Sequence, residues 1–319
     1  MNKKIIVFTG DPNSINSEII FKSWKKLNKS IKKRTFFISN YNLLKSQFKK
    51  LNYKIKLIKV KNVNEKVNTD FIKIIDLKLK FNNPFKVSKS ISSNFVKNSL
   101  NLLHKLGQDK NISGVINLPI NKSLLPKGVA GVTEFLAKKC NVKKNSEAMV
   151  IKNENLSVSP ITTHIEIKNI SKKITENLII NKICTIDKSF KKLNKKKPRI
   201  GLLGLNPHNA ELKINSEERK IIIPAMKKLK KKGIDLKGLL VADTVFINDY
   251  KKFDVIVGMY HDQVLTPFKS LFKFNAINIT LGLKYIRVSP DHGVANNIIG
   301  KNKANATSLI KCFKFISKI

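Results

Sequence analysis

The sequence predicts an α/β protein whose lobes, if it has two, interweave. Three observations carry this. Strand and helix patterns alternate along the whole chain, the rhythm of α/β folds. With 319 residues, 42% of them hydrophobic, the chain can build a large core or two lobes. No Pro/Gly/Ser-rich linker divides it, so lobes would interweave rather than follow one another.

The elements follow in order. Residues 5–8 are a first strand that stops at Gly10, where the chain turns. Residues 16–27 place Ile19, Ile20, Trp24 and Leu27 on one helical face. Residues 35–38 form a strand and 43–51 a helix. A longer helix spans 90–106, with Ile91, Phe95, Leu102, Leu103 and Leu106 apolar along one side. Residues 114–118 make a strand that ends at Pro119, which cannot donate to a ladder. A hairpin around Asn153 joins 147–151 to 155–160. Residues 199–203 are a strand after the lysine run 191–197, which reads as a surface loop. Residues 217–230 form a helix that Pro224 kinks, 236–241 and 254–257 are strands, and 305–315 close the chain as a helix.

The stretch 253–293 is the most informative. An apolar strand (Val255, Ile256, Val257) ends at Gly258 and delivers Tyr260, His261, Asp262 and Gln263 together. In α/β sheets ligands gather beyond the carboxyl ends of strands. Lys269, Asn278 and Arg287 follow, and a cation, an amide and a guanidinium are the parts of an anion pocket.

Bulk properties exclude several classes. No run approaches the roughly 18 apolar residues of a membrane helix. The N-terminus lacks the long apolar region of a signal peptide and reads as the first strand. Three scattered cysteines (Cys140, Cys184, Cys312) point to a reducing cytoplasm rather than a disulfide framework. The net charge of +42 raises the question of nucleic acid. Yet nearly all of it is lysine spread along the chain, and Arg34, Arg199, Arg219 and Arg287 are the only arginines. Arginine is the usual reader of bases and phosphates, so a solvated surface is the better account. Such a field would still attract a small phosphorylated substrate.

Three of the five histidines share a setting at or beyond a strand: His164 after Thr162–Thr163, His208 in GLLGLNPHNAE, and His261 in MYHDQ. Imidazoles suit zinc, cobalt and related ions, but no HxH or HxxxH spacing brings these three together locally. They are either a metal site assembled by tertiary or inter-subunit contact, or three ordinary loop-end histidines. The GDPNSIN turn is neither GxGxxG nor a Walker loop and reads as an ordinary strand-to-helix turn. Thr133–Glu134 reads as a helix N-terminus, either an ordinary one or one whose free amides receive an anion.

Nine blocks in order extend the argument: GDP at 10–12, LPINK at 118–122, GVTEFLA at 131–137, TTH at 162–164, LNPHNAE at 205–211, ADTVF at 242–246, MYHDQVLTPFK at 259–269, NITLGL at 278–283 and IRVSPDHGVA at 286–295. Together they resemble the 4-hydroxythreonine-4-phosphate dehydrogenase family of pyridoxal phosphate biosynthesis. That resemblance implies a two-lobed α/β/α sandwich of the isocitrate/isopropylmalate dehydrogenase type, with lobe 1 at 1–125 plus 275–319 and lobe 2 at 126–274. It implies NAD or NADP and one divalent ion (Zn, Mg or Co) held by His164, His208 and His261. In that scheme His261 comes from the other subunit of a homodimer. Thr133, Lys269, Asn278 and Arg287 match substrate contacts. A more distant match places His292, Gly293 and Asn305 toward the cofactor. Asp262 is the candidate general base, or alternatively the partner that orients His261. The expected reaction oxidises the C3 hydroxyl of 4-hydroxythreonine 4-phosphate and then releases carbon dioxide, leaving 3-amino-2-oxopropyl phosphate. No nucleic acid or membrane partner is expected.

Two departures from the family pattern bear on function. The first block is GDPNSINSE where the family has a glycine-richer GDPxGIGPE, and Val132 stands where a substrate-contacting histidine is usual. Valine cannot donate to an anion, so a related dehydrogenase of threonate or erythronate phosphate is the competing reading. A lysine-rich nucleic-acid binder and a non-catalytic homologue are the others.

Overall fold

The computed structural model describes residues 3–65, 67–129 and 131–319. Its strands are β1 (Lys4–Phe8), β2 (Thr35–Ser39), β3 (Leu57–Val60), β4 (Ile72–Asp76), β5 (Ile112–Asn117), β6 (Ala148–Lys152), β7 (Ser157–Thr162), β8 (Ile200–Leu203), β9 (Leu236–Leu240), β10 (Val255–Tyr260), β11 (Ile277–Leu281) and β12 (Arg287–Pro290). The α-helices are α1 (Asn16–Lys26), α2 (Lys29–Arg34), α3 (Tyr41–Lys50), α4 (Lys89–Gly107), α5 (Val132–Lys139), α6 (Ile170–Lys173), α7 (Glu176–Asn194), α8 (Ile223–Lys231), α9 (Ala242–Val245), α10 (His261–Phe272) and α11 (Thr307–Ser317). Among the described residues, no helix is long and apolar enough to cross a membrane.

The chain divides into two compact units, residues 1–139 with 284–319 and residues 140–283. The sequence-based lobe boundaries lie at 125/126 and 274/275, so α5 falls in the first unit and β11 in the second. In the first unit the strands run β3-β4-β2-β1-β5-β12, all parallel. Its centre is β1, whose Ile5, Ile6, Val7 and Phe8 are wholly buried, as expected of a strand covered on both faces. In the second unit the order is β11-β6-β7-β10-β8-β9. There β11–β6 and β6–β7 are antiparallel, while β7, β10, β8 and β9 are parallel neighbours. The β6–β7 hairpin forms around Asn153, whose side-chain oxygen accepts from the backbone N–H of Asn155 and Leu156, each at 2.8 Å.

Several elements differ from the sequence reading. Strand β10 does not stop at Gly258 but continues to Tyr260, and His261, Asp262 and Gln263 open helix α10. Gly258 is needed for closeness: a Cβ there would lie 2.5 Å from Val264 Cγ1. The helix expected over 217–230 is a π-helical turn, Glu218–Ile222, followed by α8, with Pro224 in the first turn of α8. Proline fits there because the first N–H groups of a helix have no internal partner. The lysine run 191–197 is half helix, since α7 continues to Asn194 before Lys195 turns left-handed.

Candidate functional site

In the first unit, β1 ends in the GDPNSIN turn. Gly10 takes φ +77°, and a Cβ there would sit 2.4 Å from Asn16 Nδ2 and 2.5 Å from the Pro119 carbonyl, so only glycine fits. Asparagines hold the rest. Asn16 Nδ2 donates to the carbonyls of Thr9 and Pro119, both at 2.9 Å. Asn13 both donates to the carbonyl of Val87 and accepts from its N–H, at 2.8 Å each way. Asp11 accepts from the N–H of Asn13 and Asn121. Burial nevertheless keeps its carboxyl above the usual range. Fewer glycines have therefore not loosened this turn; side-chain amides tie it to the neighbouring segments.

Arg287 opens β12 and is only 3% exposed. Its Nε donates to Asn117 Oδ1 at 2.6 Å, and its Nη1 to Thr133 Oγ1 at 3.5 Å. Asn117 ends β5, which pairs with β12, so the sheet register brings these two side chains together. Thr133 stands in the first turn of α5, as the sequence anticipated. Desolvation lowers the guanidinium pKa to about 10, still well above neutrality. Arg287 is thus a positioned cation hydrogen-bonded to the Thr133 hydroxyl; Asn117, which orients the guanidinium, has no sequence signal beyond lying at a strand end. Val132 is the first residue of α5.

His292, Gly293 and Asn305 lie in the segment between β12 and α11. Gly293 and Asn305 are exposed and His292 is half-buried. Asn305 falls outside the helix expected over 305–315, and its Oδ1 accepts from the Thr307 N–H at 2.8 Å, a local turn before α11. The segment is anchored on α1: Lys22 donates to the carbonyls of Asn302 and Ala304, and the Ala304 N–H donates to fully buried Glu18.

In the second unit the three histidines follow three adjacent parallel strands. His164 lies two residues past β7, His261 immediately follows β10, and His208 lies in the turn after β8. Because Thr162 pairs with Tyr260, the next residues leave the sheet side by side. The rings of His164 and His261 consequently lie 5.9 Å apart, centre to centre. The pair lies within one chain. His208 is not part of this ring pair; it lines a cavity of about 530 Å³ with Met226, Lys227, Lys230 and Leu239 among others. Among the described residues of one chain, no three His, Cys, Asp or Glu side chains converge as a metal site.

His261 Nδ1 lies 2.7 Å from Asp262 Oδ1, leaving Nε2 to face outward chemistry. Metal-binding histidines are commonly oriented by such a carboxylate. The side chain of Asp262 is 72% exposed, which favours this orienting contact over the role of a shielded general base. An exposed imidazole at one strand end and a carboxylate-oriented one beside it make a donor pair that fits a divalent ion. Lys269 lies near the end of α10, half-buried. Asn278, in β11, keeps a buried Oδ1 with no hydrogen-bond partner. A native buried acceptor left so is costly unless a ligand or water meets it.

The turn carrying His208 is held by a residue that sequence reading assigned only to a helix. Glu218 is fully buried. Its Oε1 accepts from the N–H of Leu205 and of Asn206, each at 2.8 Å, and its Oε2 from Asn206 Nδ2 at 3.0 Å. Burial opposes its ionisation, yet the bonds from Asn206, its own backbone and Leu205 together hold the carboxyl below the usual range. Residues 208–212 all adopt positive φ between 48° and 56° without a glycine among them. That conformation costs each L-residue roughly 1–2 kcal/mol, so external bonds must hold it.

The family model described as pyridoxal phosphate biosynthetic protein PdxA matches residues 31–316. A 4-hydroxythreonine-4-phosphate dehydrogenase of Sulfurihydrogenibium sp. is 38% identical over 97% of this chain and 95% of its own length. An Oceanobacillus iheyensis protein provisionally named D-threonate 4-phosphate dehydrogenase is 32% identical over 98% of this chain and 96% of its own. The crystal structure of 4-hydroxythreonine-4-phosphate dehydrogenase from Klebsiella pneumoniae superposes with a TM-score of 0.87 at 28% identity, covering 99% of each chain. With the α/β architecture, the ordered blocks and the family match all running nearly end to end, the chain belongs to the PdxA family of pyridoxal phosphate biosynthetic proteins.

Proposed function

We propose that this protein is an NAD- or NADP-dependent dehydrogenase requiring a divalent metal ion. It oxidises the C3 hydroxyl of 4-hydroxythreonine 4-phosphate, and loss of carbon dioxide then leaves 3-amino-2-oxopropyl phosphate for pyridoxal 5′-phosphate synthesis. The observation that carries the reading is the His164–His261 pair at the carboxyl ends of β7 and β10, in a family whose members are named for this reaction.

His164, His261 and His208 are the ligands, and imidazole donors favour zinc or cobalt over magnesium. When bound, the ion would supply Lewis acidity at the substrate hydroxyl, and the nicotinamide would accept the hydride. Asp262 holds the His261 ring in the tautomer that leaves Nε2 for the ion. Thr133, Arg287, Lys269 and Asn278 bind and orient the anionic groups of the substrate, the phosphate foremost. His292, Gly293 and Asn305 face the dinucleotide. His261 supplied by a second copy would complete the metal set with His164 and His208, which makes a homodimer the working unit. Cys140, Cys184 and Cys312 form no disulfide among the described residues, in keeping with a cytoplasmic enzyme.

A second reading rests on Val132 and on the D-threonate 4-phosphate relative: the same oxidation on a phosphorylated hydroxy acid without the amino group. The deciding experiment is a zinc- or cobalt-supplemented assay of NAD(P)H and carbon dioxide with both substrates, on the wild type and on Val132→His. Higher kcat/KM for 4-hydroxythreonine 4-phosphate supports the first reading, and preference for threonate phosphate supports the second. No turnover of either refutes both.

A further inference from the structure

We infer that the first unit carries a further binding site, for a phosphorylated planar ring of the nucleotide class, at the outer edge of its sheet. A cavity of about 700 Å³ is lined by α3, the segment leading into β3, and Phe71. Small-ligand sites usually span roughly 300–1,000 Å³, so its size suits one such molecule. β3 is the edge strand, and β4, β2, β1 and β5 separate it from β12, which opens with Arg287. At the ordinary strand spacing of about 4.8 Å the two strands lie roughly 24 Å apart. No residue proposed for the dehydrogenase reaction lines this cavity.

Two features of the lining define the ligand. The first is its rings. Four of the eleven lining residues are aromatic (Tyr41, Phe48, Tyr53 and Phe71), in a chain with 8% aromatics. Tyr53 is held in place: it stacks on Phe21 at 3.8 Å, meets Phe48 edge-on, and its hydroxyl bonds to Asn302. A bare phosphate gains nothing from such walls, whereas a planar ring stacks on them. The second feature is charge. Lys45, Lys49, Lys54 and Lys56 line the same space, with no Asp or Glu beside them. Among the described residues none of these four is in a salt bridge, whereas Lys59 is committed to Asp76 at 2.6 Å. Lys45 and Lys56 stand 5.9 and 5.7 Å from the centres of the Tyr41 and Phe71 rings, so cations and rings alternate around one cavity. Lysine binds phosphate as a point charge and needs no fixed fork geometry to do so.

The test is a calorimetric titration of the full-length protein with ADP and with pyrophosphate, a comparably charged control that lacks the ring. Both are run at physiological salt with NAD at saturation, so that any adenine position of the dinucleotide is filled. ADP is expected to bind about tenfold or more tighter than pyrophosphate, within the worth of one stacked base. Lys49→Glu combined with Lys54→Glu should weaken both ligands about tenfold or more, as lost charge-assisted bonds do. Phe71→Leu keeps an apolar side chain but removes a ring; it should weaken ADP about fivefold or more and leave pyrophosphate unchanged. If Phe71→Leu does not fold, Tyr41→Leu takes its place with the same expectation. Equal binding of the two ligands, no binding of ADP, or ADP binding that the lysine and ring variants leave at wild-type strength would overturn the inference. The readout is binding alone, so a wild type without dehydrogenase turnover would refute that reading and leave this one standing.

Discussion

The two units solve the problem of placing a charged group in opposite ways. In the first, Arg287 is buried at the head of β12, and its contacts with Asn117 and Thr133 are made before any ligand arrives. In the second, His164 is exposed and His261 half-exposed, each just past the end of a strand. A guanidinium stays charged even when desolvation lowers its pKa to about 10, so it can be preorganised in the interior. An imidazole that must lose a proton to ligate, and exchange water for an ion, belongs where solvent reaches it. The sheet therefore positions the cation directly and the imidazoles only through the turns that follow the strands.

Removing a ligand should have the largest effect. His261→Ala is expected to abolish NAD(P)H formation and bound metal together while the melting temperature stays near wild type; an active, metal-replete variant would end the ligand assignment. Next is Arg287→Lys. Lysine cannot reproduce the fork, and the Asn117 oxygen would lose its donor, a loss of about 1–3 kcal/mol where a buried acceptor goes unpaired. Reduced stability should accompany a KM for the phosphorylated substrate raised well beyond tenfold, and unchanged kinetics would confine Arg287 to structure.

Asp262→Asn tests the exposed half of the comparison more gently. A loss of about 10- to 100-fold in metal affinity is expected, with kcat recovering at saturating metal. A kcat that stays lost at saturating metal would instead mark Asp262 as the general base.

The smallest effect concerns the other interior cation of the first unit. Lys73 is 1% exposed, and its ammonium caps the carbonyls of Lys32 and Lys33 at the end of α2. Desolvation, reinforced by Lys4, lowers its pKa from 10.5 to about 8. Between about pH 8 and 10.5 the unfolded chain then binds more protons at this site than the folded one, so this group makes stability rise with pH across that window. Denaturant midpoints of wild type and Lys73→Met, measured from pH 7 to 10.5, should diverge with that sign. Parallel curves would mean the ammonium is not desolvated.

Much of this was legible in the sequence. Apolar runs at 5–8 and 254–257, the helical spacing of 16–27 and the Asn153 hairpin are local patterns, and local patterns are set by side-chain periodicity and turn chemistry. The order of polar blocks along the chain likewise named Thr133, Arg287 and the three histidines. Tertiary structure alone decided how they meet. Only the parallel register of β7 and β10 brings His164 beside His261, 97 residues apart. Only the folded chain brings Glu218, at the head of the π-helical turn, back to Leu205 and Asn206. Those contacts join chemically ordinary residues at large separation. Their energies lie in desolvation and in hydrogen bonds that exist only once the sheet has formed, which no local pattern encodes.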